Sequence, residues 1–66
     1  MEKKIDIPEM MSVKDIIDNL GLGRNTVYNL IKRKDFPKLQ IGRSYVIPKD
    51  KYIEWLNKNI GKTINI

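Results

Sequence analysis

The chain contains no cysteine and no histidine among its 66 residues. That absence excludes disulfide staples, zinc fingers, thiol nucleophiles, catalytic triads and imidazole bases together. Aromatics are scarce, at one Trp, three Tyr and one Phe, and they form no stacking platform for unpaired bases, which argues against RNA as the partner. No apolar run approaches the roughly 20 residues that a membrane-spanning helix requires. The opening Met-Glu-Lys-Lys-Ile-Asp-Ile-Pro lacks the apolar stretch of a signal peptide, so a cytoplasmic protein without membrane attachment is expected. Asp15, Asp18, Asp35, Asp50 and Glu54 are scattered rather than paired, which suggests neither an acid/base couple nor a metal site. The expectation is therefore a non-enzyme with no cofactor, no metal and no small-molecule ligand.

Hydrophobic residues make up 41% of the chain and charged residues 32%, enough apolar material for one thin core and no more than one small domain. The net charge is +5, a balance that favours a polyanionic partner. Its placement is uneven: residues 1–20 sum to −2, residues 24–45 to +5 and residues 46–66 to +2. The middle of the chain carries the positive surface.

Residues 1–11 show no sustained periodicity, and Pro8 holds Ile7 in extended backbone, so this stretch reads as an arm or short strand. Ser12 followed by Asp15 has the spacing of a capping box and starts a helix. Val13, Ile16, Ile17 and Leu20 form its apolar stripe, and Gly21 stops it. The turn Gly21-Leu22-Gly23 returns Leu22 to the core and leads into a second helix over about residues 24–34. This helix buries Val27, Leu30 and Ile31. Gly23 and Asn25 are both acceptable as its N-cap.

Pro37 ends that helix, with Phe36 expected as a core plug beneath a hairpin. Leu39 and Ile41 on one strand meet Tyr45-Val46-Ile47 on the next across Gly42-Arg43-Ser44. A two-residue loop sets Ser44 and Val46 beside Leu39 and Ile41; a three-residue loop sets Tyr45 and Ile47 there. The three-residue loop is expected because it buries more apolar surface. A last helix begins at Pro48 or near Asp50, with Tyr52, Ile53, Leu56 and Ile60 as its stripe, Trp55 in the core and Gly61 as its end. The organisation expected is an arm at 1–11, a domain at 12–60 and a tail at 61–66, with Ile64 and Ile66 able to pair with the arm.

A mildly acidic helix, a Gly-bearing turn, a basic helix and then a hairpin is the order of a winged helix-turn-helix, a mostly helical α+β fold whose second helix enters the major groove of DNA. Exposed side chains of such a helix reach base edges while its Lys and Arg neutralise phosphates. Asn25 and Asn29 suit adenine, Arg24 suits a guanine or a phosphate, and Thr26 and Tyr28 suit donation to the backbone. Lys32, Arg33 and Lys38 extend the basic surface, and Arg43 with Ser44 at the hairpin tip suits a phosphate or the minor groove. A basic run that ends a helix also has a bland explanation, since cations favour the C-terminal dipole.

Four segments together carry a family resemblance: Met11-Ser-Val-Lys-Asp15; Leu22-Gly-Arg-Asn-Thr-Val-Tyr-Asn-Leu-Ile31; Leu39-Gln-Ile-Gly-Arg43 with Tyr45 and Ile47-Pro48; and Tyr52-Ile-Glu-Trp-Leu56. In this order and spacing they resemble the MerR-like winged helix-turn-helix of the excisionase family, over roughly residues 10 to 57. The resemblance implies double-stranded DNA binding by the second helix and wing. It further implies a recombination directionality factor of a mobile element that bends attachment-site DNA, with a tyrosine-type integrase and further copies of the chain on adjacent sites as partners. A small MerR-like transcriptional regulator is the alternative, and a protein-interaction adaptor on the same scaffold is the competing class. Gly23 departs from the family's common hydroxyl cap.

Overall fold

A computed structural model describes residues 9–66. The elements run β1 (Met10–Met11), α1 (Val13–Leu20), α2 (Arg24–Ile31), β2 (Leu39–Ile41), β3 (Ser44–Pro48) and α3 (Lys49–Asn59). The strands form one antiparallel sheet of order β1-β3-β2. Three helices and this small sheet make a winged helix-turn-helix of the mostly helical α+β class. β1 occupies the last two residues of the stretch read as an arm or short strand. The proposed pairing of that arm with the tail lies outside the described residues on its N-terminal side. On the other side, Ile64 instead packs against the core and Ile66 is exposed.

Helix α1 starts where its local chemistry says it should. The Ser12 hydroxyl accepts from the Asp15 amide at 3.2 Å, and the Asp15 carboxylate accepts from the Ser12 amide at 2.9 Å. Two of the four orphan amides of a helix start are thereby satisfied. At the other end Gly21 adopts φ 70°, and its amide donates to the Ile17 carbonyl at 2.9 Å. A side chain there would be strained, which explains the glycine.

The core consists of Ile16 from α1, Val27, Leu30 and Ile31 from α2, Phe36, Ile47 from β3, and Tyr52 and Trp55 from α3. Phe36 is the plug, 5.0 Å from the Trp55 ring and 6.0 Å from Tyr52, centroid to centroid. The Tyr52 hydroxyl donates to Asn19 Oδ1 at 2.7 Å, tying α3 to α1. Burial pushes the pKa of Tyr52 above its ordinary value of 10.0, so this donor keeps its proton.

Several expectations need correction. The hairpin has a two-residue loop, Gly42-Arg43, pairing Leu39 with Val46, Gln40 with Tyr45 and Ile41 with Ser44. Gly42 sits at φ 62° and Arg43 has no positive φ, the pattern of a type II′ turn, whose twist matches the strands. Tyr45 and Ile47 do point inward, but Leu39 and Ile41 lie on the opposite face, 51% and 64% exposed. Turn geometry outweighed the burial of two side chains. Leu22 is likewise exposed rather than returned to the core. Helix α2 stops at Ile31 with Lys32 as C-cap, short of residue 34. Helix α3 ends at Asn59 with Ile60 as C-cap, and its buried positions are Tyr52 and Trp55, while Ile53 and Ile60 face outward. Its inner stripe is aromatic, and both rings pack against Phe36.

Candidate nucleic-acid interface

The surface of α2 follows from what it buries. With Val27, Leu30 and Ile31 inward, helical periodicity turns Arg24, Asn25, Thr26, Asn29 and Lys32 outward, and all five are exposed. Tyr28 lies between, half-buried, with its ring 6.4 Å from Tyr45 at an interplanar angle of 61°. That edge-to-face contact joins the helix to the wing. At the helix start, Gly23 is the N-cap and supplies no side-chain acceptor, although its carbonyl takes the Val27 amide at 3.0 Å. No acid occupies the first turn, and Arg24 stands there instead. A cation beside the positive end of the helix dipole is locally unfavourable, so the arrangement suits an external anion.

The wing contributes Arg43 at its tip and Ser44 beside it, both exposed. Arg24 and Tyr28 of α2 and Arg43, Ser44 and Tyr45 of the wing line one groove of about 520 Å³. Lys14, from the first turn of α1, lines it too. Sequence reasoning missed Lys14 and Tyr45. The signal for Lys14 was present in the sequence, since a lysine next to a capping box sits against the helix dipole. For Tyr45 the only hint was its place in the hairpin.

Two of the expected site residues have internal duties. Arg33 donates to Asp35 through Nε at 2.9 Å and Nη2 at 3.4 Å, and to the Asn65 carbonyl through Nη1 at 2.8 Å. Lys38 Nζ donates to the Arg33 carbonyl at 2.9 Å. The Trp55 indole N–H also reaches Asp35 Oδ2, at 3.3 Å. The hydrogen bond from Arg33, helped by that from Trp55, holds the Asp35 carboxyl below its ordinary 3.8 against a smaller opposing effect of desolvation. Arg33, Asp35, Lys38 and Trp55 thus fasten the segment after α2 and the tail. The structure groups Arg24, Tyr28, Arg43 and Ser44 together and leaves Arg33 and Lys38 in this clamp.

The charges separate by side. Among the described residues the ion pairs are Arg33–Asp35, Lys49–Glu9 and Lys51–Glu54, and none of them takes Lys14, Arg24, Lys32 or Arg43. Among the described residues, no carboxylate lines the groove that α2 and the wing share. Glu9, Asp15 and Asp18 line a different depression, with Asn19 and Lys49. Among the described residues, no three carboxylates cluster as a metal site, and no helix is long and apolar enough to cross a membrane.

The comparison with known families decides what this arrangement is. Residues 10–60 match the helix-turn-helix domain family. The chain belongs to that family. Its sequence is also 26% identical over 57 residues to an excisionase of Streptomyces ambofaciens, covering 86% of this chain and 92% of the relative. No solved structure matches significantly. In this helix-turn-helix protein, α1 and α2 are the paired helices and Gly21-Leu22-Gly23 is the turn. The β2–β3 hairpin is the wing, and the matched region takes in every described element.

Proposed function

We propose that the chain is a double-stranded DNA-binding excisionase of a mobile element. Its α2 helix reads the major groove and its wing reaches the adjacent minor groove. The observation that carries the reading is convergence. Two successive elements of different type, α2 and the hairpin, bring Arg24 and Arg43 to one groove that no carboxylate lines among the described residues. Asn25 and Asn29 suit adenine edges, Arg24 suits guanine or a phosphate, and Thr26, Tyr28, Lys32 and Ser44 suit the backbone. Arg33 and Lys38 are left out of this contact set because each already donates within the chain, Arg33 to Asp35 and the Asn65 carbonyl and Lys38 to the Arg33 carbonyl. The excisionase likeness favours bending of attachment-site DNA together with a tyrosine-type integrase and further copies on neighbouring sites.

Selection of bound duplexes from a random pool tests this directly. A recovered motif repeated in direct orientation supports the excisionase role; isolated sites would favour a transcriptional regulator, and no preference at all would favour a protein adaptor. Arg24→Ala and Arg43→Ala should each weaken binding to the selected duplex by about 1–3 kcal/mol where a base is read, and by less where only phosphate is touched. Unchanged mobility-shift titrations for both variants would overturn the assignment.

A further inference from the structure

A helix in the major groove and a wing in the next minor groove must stand on either side of one sugar-phosphate strand, because that strand is what divides the two grooves. Whatever surface lies between helix and wing faces that strand. Here it is the groove of about 520 Å³ lined by Arg24 and Tyr28 of α2, by residues 43–46 of the wing and, for half of its lining, by residues 10–14 and Ile17 of β1 and α1. Lys14 from α1 completes the lining cations. Met10, Met11, Val13, Ile17 and Val46 give the groove apolar lining as well, but the charged groups among its described lining residues are three cations and no carboxylate, which suits a run of phosphates. The Tyr28–Tyr45 contact at 6.4 Å fixes the spacing of the walls before any ligand arrives.

Lys14 is the informative member. It occupies the first turn of α1, where the dipole disfavours a cation, as Arg24 does on α2. Both helices therefore place a locally unfavourable positive charge beside the same groove. The neighbouring Asp15 is held in the capping box rather than turned to Lys14. Building on the DNA-binding reading above, we propose that this groove seats the single strand dividing the two DNA grooves, with Lys14 as a phosphate-neutralising contact that carries no sequence information.

The test is a salt titration of binding to a mixed-sequence duplex several helical turns long, for the wild type, Lys14→Ala, Lys14→Arg and Lys51→Ala. Lys51 is exposed and pairs with Glu54 at 3.7 Å, so its loss removes the same charge away from the groove. For Lys14→Ala the plot of log affinity against log salt should become less steep by about 0.9, the share of one phosphate. The loss of affinity should be equal on selected and unrelated duplexes. Lys14→Arg and Lys51→Ala should keep the wild-type slope, and Lys14→Ala should melt no lower than the wild type, since it removes a cation that the helix dipole disfavours. A wild-type slope in Lys14→Ala, or an equal loss in Lys51→Ala, would overturn the proposal while leaving DNA binding intact. A wild type with no salt-dependent duplex binding would overturn both.

Discussion

Helices α1 and α2 have the same length, eight residues each, and were built to different specifications. Helix α1 has a reciprocal capping box at its start and a left-handed glycine at its end. Helix α2 has a glycine N-cap without a side-chain bond, an arginine where an acid would be favourable and no basic residue in its last turn. Local interactions therefore stabilise α1 and do little for α2, which is too short to hold itself together in water. Burial must hold α2 instead, and it supplies Val27, Leu30 and Ile31 to the core where α1 supplies only Ile16. The helix proposed to face DNA lacks a side-chain cap at its N-terminus, and the core compensates.

If that division is right, the largest effect comes from the buried side of α2. Ile31 is fully buried at 0% exposure, so Ile31→Ala should cost about 2–5 kcal/mol and unfold much of the population of so small a domain. Thermal melting reads this; a small drop would mean that α2 has local support not visible here. Next comes the cap of α1. Ser12→Ala removes one half of the box and should cost about 1 kcal/mol, seen as a lower melting temperature with duplex binding unchanged once the protein is folded. A loss of binding beyond that expected from unfolding would show that the Ser12 hydroxyl itself touches the duplex, beside the Lys14 contact proposed above.

The sequence revealed what local chemistry decides. Ser12 with Asp15, Gly21, and the Val27–Leu30–Ile31 stripe are each readable within a few residues, and all appear in the structure as read. The hairpin register was not, because the area argument weighed four apolar residues equally. The backbone of Gly42 at φ 62° instead set the loop and sent Leu39 and Ile41 outward. The same limit applies to Arg33. Asp35, two residues on, was a partner within reach in the sequence, but the second one, the Asn65 carbonyl, is 32 residues away, and only the fold shows the guanidinium held between them. Lys38, bonded to a backbone carbonyl, was silent in sequence. Convergence of Lys14 with Arg24 and Arg43 depends on three elements meeting, which periodicity along one helix cannot show.

The smallest effect is the sharpest probe of the contrast between the helices. Gly23 has φ −70°, and a Cβ built there meets nothing within 4 Å, so a side chain fits without strain. Gly23→Ser gives α2 the hydroxyl cap it lacks and should stabilise the domain by a few tenths of a kcal/mol, roughly the difference between serine and glycine at such a position. Were α2 simply a poorly optimised helix, this change would raise the melting temperature slightly and leave DNA binding alone. If the open amides at its start serve a phosphate, the new hydroxyl competes for them. Stability should then rise while affinity for duplex falls, and a variant that gains both would show that the missing cap has no functional meaning.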